Sequence, residues 1–377
     1  MSDNRFNMLL AAGGTGGHII PALAIADALR SMPQTGDIVF AGTRNHLEWE
    51  LVPKAGYPIY NIWISGLIRR LTAKNLTFPV KLVVSLFQSM TIIRKVRPAV
   101  VIACGGYVAG PVGWVAAKMG IPVVLQEQNS YPGLTNRLLA KNARVIFTAF
   151  PQADRYFPKG KTRLLGNPTR ADILKGERVA FLKKYELNDM RTLLVLGGSG
   201  GARAINEAVL ENIGQLTQNN EIQVLWQCGK RYFEDLKERF NNDLFPRVRL
   251  LPFIDDMPGA YAASDVVISR SGAISCAELA MTGKPSLLVP SSNVAGDHQT
   301  YNAKAMVEQG AAKMIEDVRL KAELGTEVAA LLDDDQLRKT MSNAALKMAR
   351  PQAAHDIAGE IIRLLQPDKE MDTNHYD

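Results

Sequence analysis

The sequence predicts an α/β protein of two Rossmann-like halves, each a parallel sheet covered by helices on both faces, and three observations carry that expectation. Short apolar, β-branched runs alternate with helix-length segments along the chain, as they do when strands are buried on both faces of a parallel sheet. The stretch from Leu9 to Pro21 joins an apolar strand to a helix start through Gly13-Gly14-Thr15-Gly16-Gly17. The same arrangement returns at Leu193-Leu194-Val195-Leu196 and Gly197-Gly198-Ser199-Gly200-Gly201, aligned with the first without a gap. A repeat of so long a period signals a duplicated domain rather than a solenoid. Two such halves facing each other would enclose a cleft.

The elements follow in order. In the first half, strands are expected from Phe6 to Ala12, Ile38 to Ala41, Val100 to Cys104, Val123 to Gln126 and Val145 to Phe147, each short, apolar and rich in β-branched residues. A helix is expected to begin at Pro21 and run to Arg30, followed by helices from Val80 to Lys95, Val108 to Met119 and Leu134 to Ala140. Gly166-Asn167-Pro168 reads as a linker, because a residue before proline is held extended. The expected domains are therefore 1–166 and 167–350. Second-half strands are expected from Leu193 to Leu196, Ile222 to Trp226, Val248 to Leu251, Val266 to Ser269 and Ser286 to Val289, each followed by a helix. Two helical patterns, Leu337 to Met348 and Ala354 to Leu365, are split by Pro351, and segment 351–366 is expected to pack back on the first half.

With 377 residues, 47% of them hydrophobic and 21% charged, the chain has material for two separate cores. No apolar run reaches the roughly 18 residues of a membrane-spanning helix, and the first strand begins without a signal-peptide pattern, so a cytoplasmic protein is expected. Cys104, Cys228 and Cys276 lack metal or disulfide spacing and read as small core residues. The charge of +7 is unevenly placed: between Glu50 and Glu127 there is no acidic residue, while Lys54, Arg69, Arg70, Lys74, Lys81, Arg94, Lys95, Arg97 and Lys118 fall there among apolar residues. That mixture suits anionic lipid headgroups better than nucleic acid. Trp63, Leu67, Ile68 and Phe78 are expected to join Arg69, Arg70, Lys74, Lys81, Arg94 and Lys95 in the contact. The plainer alternative is a helix core with a solvated basic face.

Ligands of parallel sheets sit beyond the strand C-termini. Three first-half loops end there: Gly13 to His18, Gly105-Gly106-Tyr107 with Gly110-Pro111, and Glu127-Gln128-Asn129. A glycine loop before a helix N-terminus suits a diphosphate, although one such loop alone also fits a tight turn with no ligand. Likewise Gly105-Gly106 could serve only close helix packing. In the second half, Arg270-Ser271-Gly272-Ala273-Ile274-Ser275-Cys276-Ala277-Glu278 opens another phosphate-compatible helix. There Glu278 suits ribose hydroxyls, whereas Ser275 and Glu278 also have capping-box spacing. Asp297-His298-Gln299 opens the next helix, with Asp297 as a candidate N-cap.

Gly-Gly-Thr-Gly-Gly-His-Ile-Ile-Pro-Ala at 13–22, Gly-Gly-Tyr-Val-Ala-Gly-Pro at 105–111, Glu-Gln-Asn at 127–129, Gly-Asn-Pro-Thr-Arg at 166–170, Phe-Ile-Asp-Asp-Met at 253–257 and Arg-Ser-Gly-Ala at 270–273 together resemble the MurG family, the membrane-associated N-acetylglucosaminyltransferases of bacterial peptidoglycan synthesis and cell-wall biogenesis. The resemblance implies a GT-B fold and metal-independent, inverting transfer of N-acetylglucosamine from UDP-N-acetylglucosamine to the muramyl C4 hydroxyl of undecaprenyl-pyrophosphoryl-linked muramyl-pentapeptide (lipid I), giving lipid II at the cytoplasmic face of the inner membrane. It implies no cofactor, and cell-wall synthesis proteins as possible partners. By resemblance the UDP-sugar is held by Thr15, Gly16, Gly17, Asn129, Arg170, Ser199, Ile254, the run Ala273, Ile274, Ser275, Cys276, Ala277 and Glu278, and Gln299. Within that set Ile254 would offer backbone groups to uracil, Glu278 would take the ribose and Gln299 the sugar hydroxyls. The sequence departs from the family at Gln126, where histidine is common, and at Gly200, where glutamine is common.

Inversion needs a base for the incoming hydroxyl and stabilisation of the departing UDP. Helix N-termini and Arg170 can supply the second. His18 and Glu127 are rival candidates for the first. Asp333-Asp334-Asp335 reads as a solvated turn rather than a metal motif. The alternatives are a UDP-N-acetylglucosamine epimerase on the same fold, which gives no reason for the acid-free stretch, and a non-catalytic nucleotide-sugar sensor, which would need no base, so that full loss of activity without loss of binding in a His18 or Glu127 variant would exclude it.

Overall fold

The computed structural model describes residues 5–66, 77–170, 172–218, 221–241, 243–291 and 294–366. The chain divides into two compact units, one of Met1–Gln128, Pro132–Pro168 and Gln352–Asp377, the other of Asn129–Tyr131 and Thr169–Pro351. Through the first unit run β1 (Phe6–Ala11), α1 (Gly16–Arg30), β2 (Thr35–Gly42), α2 (Glu48–Lys54), β3 (Ile59–Asn61), α3 (Phe78–Val96), β4 (Val100–Ala103), α4 (Gly106–Lys118), β5 (Val123–Glu127), α5 (Leu134–Leu139), β6 (Val145–Thr148) and β7 (Thr162–Leu164). The second contains α6 (Arg178–Lys184), β8 (Arg191–Leu196), α7 (Arg203–Leu216), β9 (Ile222–Gln227), α8 (Phe233–Arg239), β10 (Val248–Leu251), α9 (Met257–Ala263), β11 (Val266–Ser269), α10 (Ala273–Thr282), β12 (Ser286–Leu288), α11 (His298–Glu308), β13 (Ala312–Met314), α12 (Leu320–Asp333) and α13 (Asp335–Met348). Last comes α14 (Ala353–Leu365), which belongs to the first unit.

The first sheet has the order β3-β2-β1-β4-β5-β6-β7. Its strands are parallel, with Leu9 opposite Val39 on one side and Val101 on the other. Period-two alternation sorts each strand between two cores. Leu9, Ala11, Val101 and Ala103 join Ile92, Val108, Val112 and Leu139 of α3, α4 and α5. Met8, Leu10, Val100 and Ile102 join Ile19, Ile25 and Leu29 of α1 on the opposite face, which Ile357, Ala358, Ile361 and Ile362 of α14 also cover. Both faces being apolar is why these strands read as continuous hydrophobic runs.

The second sheet runs β10-β9-β8-β11-β12-β13. Strand order reverses between β1 and β4 in one unit and between β8 and β11 in the other, so the loops after those strands diverge and leave a crevice in each. Edge strands β3, β7 and β13 fall outside the sequence expectation. Each is three residues long and carries polar side chains such as Asn61, Thr162 or Lys313, because an edge is only partly covered. Helix α1 begins at Gly16 rather than Pro21, which lies inside it.

Within the second core the buried Trp226 indole donates to Asn206 Oδ1 at 3.1 Å, and Asn206 Nδ2 donates to the Cys228 carbonyl at 2.9 Å, tying α7 to β9. Asn206→Ala strands both partners without water. It is expected to cost about 1–3 kcal/mol, read as a lower denaturant midpoint at unchanged slope.

Candidate functional site

In the first unit the loop after β1 is braced from beneath. The Glu48 carboxylate, 1% exposed, accepts from the Gly14 amide at 3.2 Å, the Thr43 amide at 3.1 Å and the Thr43 hydroxyl at 2.6 Å. The loop after β4 comes close: Gly106 has φ +77°, and a Cβ there would lie 2.2 Å from the Gly13 carbonyl oxygen. Close packing therefore accounts for Gly106. It does not account for Gly16 or Gly17, where a Cβ would meet nothing nearer than 3.6 Å; with the exposed Thr15 they form an open rim at the start of α1. His18 stands on that rim, half-buried, its Nδ1 3.0 Å from Gln128 Oε1. Glu127 is placed differently. It is 1% exposed, and its Oε2 accepts from the Gly133 amide at 3.1 Å and Asn136 Nδ2 at 2.9 Å, holding the turn into α5.

The second unit repeats the plan. Gly201 has φ +75°, and a Cβ there would fall 2.0 Å from the Cys228 carbonyl oxygen, whereas Ser199 and Gly200 are exposed. Across the crevice α10 starts after the extended Gly272. Its first i→i−4 bond is from Cys276 to the Gly272 carbonyl at 2.9 Å, so the amides of Ala273, Ile274 and Ser275 precede the helical ladder and carry the positive end of its dipole. Arg270 is anchored by Asp317 at 2.6 Å and by the Val289 and Pro290 carbonyls, both at 3.1 Å. A cleft of about 700 Å³ is lined by the glycine loop, Arg270 and Gln299.

Local hydrogen bonding bears on three sequence expectations here. The capping box does not form: α10 begins at Ala273, Ser275 is not its N-cap, and Glu278 Oε2 instead accepts from the Tyr261 hydroxyl at 3.0 Å. Burial pushes the Glu278 carboxyl above the ordinary carboxylate range, while Arg170 pulls it down; burial and then Glu278 push Tyr261 well above the usual phenol value. Asp297 does stand at the N-cap position of α11, but without a side-chain cap bond. It has φ +53°, and its carboxylate accepts from the Thr300 hydroxyl at 2.7 Å. The Ile254 amide, one of the backbone groups expected to meet uracil, donates to Gln227 Oε1 at 2.9 Å, and Gln227 Nε2 donates to the Gly198 carbonyl at 3.1 Å.

Asn129 groups with the second unit because Asn302, fully buried, donates to Asn129 Oδ1 at 3.1 Å and to the Ser271 carbonyl at 3.2 Å, and accepts from the Ser130 amide at 2.9 Å. Gln299 accepts from the Ser291 amide at 2.8 Å, and its carbonyl accepts from the Ser271 hydroxyl at 2.9 Å. Arg170 is exposed, and Cys276 and Ala277 lie within α10. The structure thus gathers Ser199, Arg170, Ala273 to Glu278, Gln299 and Asn129 in one unit and Thr15 to His18 in the other. Glu48, Gln227, Tyr261 and Asn302 were not foreseen. Asn302 alone had a signal, sitting one helical turn after Gln299. Burial pushes the Cys104 and Cys276 thiols up to about 12 and Cys228 to about 11, values of inert core residues. Among the described residues, no group of three His, Cys, Asp or Glu is arranged to hold a metal ion.

On α3, Val80, Val83 and Phe87 are exposed and spaced along one side, Phe87 by 62%. Trp63 is exposed beside Lys81, whose Nζ donates to Ser65 Oγ at 3.0 Å. Phe78, expected at a lipid contact, is instead partly buried against the core. Leu67, Ile68, Arg69, Arg70 and Lys74 lie outside the described residues. Among those described, no helix is long and apolar enough to cross a membrane.

Residues 8–148 match the glycosyltransferase family 28 N-terminal domain and residues 192–357 its C-terminal domain. A Flavobacterium psychrophilum protein named UDP-N-acetylglucosamine--N-acetylmuramyl-(pentapeptide) pyrophosphoryl-undecaprenol N-acetylglucosamine transferase is 44% identical over 97% of this chain and 99% of its own. A Salinibacter ruber protein of the same name is 43% identical over 97% of this chain and 98% of its own. The crystal structure of Acinetobacter baumannii MurG superposes with a TM-score of 0.76 at 32% identity, covering 95% of this chain and 99% of that one.

Proposed function

The chain belongs to glycosyltransferase family 28, and from that premise we infer that it is a GT-B glycosyltransferase of peptidoglycan synthesis, moving N-acetylglucosamine from UDP-N-acetylglucosamine to lipid I to make lipid II. The observation that carries this reading is identity to transferases of that name over nearly the whole chain. The α10 N-terminus, with a carboxylate in its second turn, supports it on physical grounds.

The diphosphate is held by the first-turn amides of α10 and by Arg170, which take up the charge that develops as UDP departs. Glu278 accepts from the ribose, and Gln299 binds sugar hydroxyls. His18 removes the proton of the C4 hydroxyl; the hydroxyl oxygen bonds to the anomeric carbon from the face opposite UDP, and the electron pair of the breaking C1–O bond leaves on the diphosphate. Glu127 is less suited to the proton transfer, since its carboxylate is buried and holds Gly133 and Asn136. Asp334 caps α13, accepting from the Leu337 amide at 2.8 Å, so the triple-aspartate run has a structural task. Incubating the protein with labelled UDP-N-acetylglucosamine and a lipid I analogue tests the reading. The expected product is the disaccharide, formed equally in excess chelator. Epimerised donor without acceptor, binding without turnover, or activity restored only by magnesium or manganese would each contradict it.

An acceptor with an isoprenoid anchor requires docking at a lipid surface, and the exposed apolar row on α3 with its basic neighbours supports peripheral attachment to the cytoplasmic leaflet. Each basic residue near an anionic surface contributes about 1 kcal/mol, screened by salt. Neutralising Lys81, Arg94, Lys95 and Lys118 together is expected to lower sedimentation with anionic liposomes at least tenfold at low salt, with donor affinity unchanged. Equal sedimentation of the wild type with neutral and anionic liposomes would rule out electrostatic docking.

A further inference from the structure

We propose that Gln128 sets the tautomer of His18, holding the proton on Nδ1 so that the Nε2 lone pair is the one that receives the acceptor's proton; the catalytic part of this rests on His18 as base. A buried chain of side-chain amides leads to His18. Asn167 Nδ2 donates to the Gln128 carbonyl at 3.0 Å, and Gln126 Nε2 donates to Asn167 Oδ1 at 3.1 Å. That fixes the Gln126 side-chain oxygen toward Gln128. Gln128 Nε2 then donates to Gln126 Oε1 and, at 2.6 Å, to the Cys104 carbonyl. Turning the Gln128 amide over would set its oxygen against those two acceptors, a buried arrangement with no donor between them. Its Oε1 therefore faces His18, at 3.0 Å from Nδ1. An amide oxygen only accepts, so Nδ1 must carry the hydrogen. In neutral imidazole the other nitrogen is then the acceptor, the assignment that a partner on one ring nitrogen imposes on the other.

The chain is neutral throughout and nearly sealed: Gln126, Gln128 and Asn167 are all buried. It therefore orients His18 without a carboxylate, unlike a Ser-His-Asp arrangement, in which the buried acid also stabilises the imidazolium. Gln128 is a positioning residue and touches no reacting atom. Its backbone follows directly on β5 and is held by Asn167, so the ring nitrogen's partner is set by the sheet.

The test uses the full chain with isotope-labelled histidine, the His18 resonances being identified by their absence in His18→Gln. The wild type is expected to show protonated Nδ1 and unprotonated Nε2 at neutral pH. Gln128→Met, close in shape but without the acceptor, is expected to shift the ring toward the Nε2–H form that histidine prefers in water, and to lower turnover with a lipid I analogue by about 10²-fold, with donor affinity near wild type and a lowered thermal midpoint, because the Cys104 carbonyl and Gln126 Oε1 lose their donor. Gln128→Glu is expected to move the acid limb of the pH–rate profile to higher pH, since an adjacent carboxylate favours the imidazolium. A wild-type ring in the Nε2–H form overturns the proposal whatever the rates do, as does an unchanged tautomer in Gln128→Met. The base assignment fails separately, on undiminished turnover in His18→Gln.

Discussion

Replacing His18 by glutamine is expected to cut turnover about 10²–10⁴-fold, the usual contribution of a positioned general base, while UDP-N-acetylglucosamine affinity stays within a factor of two. Glutamine keeps a hydrogen-bonding side chain on the α1 rim but cannot take a proton at neutral pH. The Glu48 brace beneath the loop is untouched by the change, so loss of the loop's shape is not the expected cause. Burst-free, single-turnover kinetics with a lipid I analogue, beside a donor titration, separate chemistry from binding. Retained turnover would move the base role to Glu127, and a parallel loss in Glu127→Gln at unchanged stability would secure that alternative.

Glu278→Ala is expected to weaken donor binding by at least tenfold, because hydrogen bonds to a charged acceptor contribute about 1.5–3 kcal/mol each. The pH dependence has a definite sign. Burial raises the carboxyl in the folded protein, so ribose binding through the ionised form is intact above that raised value and falls away as pH drops through it, starting nearer neutrality than an ordinary carboxylate would allow. Stability runs the other way. A carboxyl raised on folding contributes stability below its unfolded value, and that contribution is lost as pH rises through the folded one. At pH 7 to 8 the alanine variant should therefore melt close to the wild type. A large drop in melting temperature with unchanged donor affinity would assign Glu278 a purely structural role through Tyr261.

The duplicated design, the interior strands and the helix at each strand end were legible because parallel sheets bury both faces and leave an unbroken apolar signature. The edges β3, β7 and β13 were not, since Asn61, Thr162 and Lys313 obey no such demand. At the site, the loops could be read but their supports could not. Ser275 and Glu278 have the spacing of a capping box, yet the cap position falls to Gly272, and only the fold brings Tyr261 to Glu278. Glu48 and Gln227 brace glycine loops from 34 and 29 residues away, contacts no local spacing encodes. Phe78 shows the reverse failure: an aromatic among basic residues resembles a lipid anchor, but its position at the head of α3 turns it inward.

Helix α14 gives the order of synthesis a consequence. Its Ile357, Ala358, Ile361 and Ile362 complete the core face begun by Met8, Leu10 and Ile19, so the unit begun first is finished only once α14 has left the ribosome. Every residue of the second unit has by then been made, Pro351 being its last. A nascent chain can thus close its second unit while the first still shows an uncovered apolar face, and a chain cut short before Ala353 would carry its defect in the unit made first rather than in the one made last.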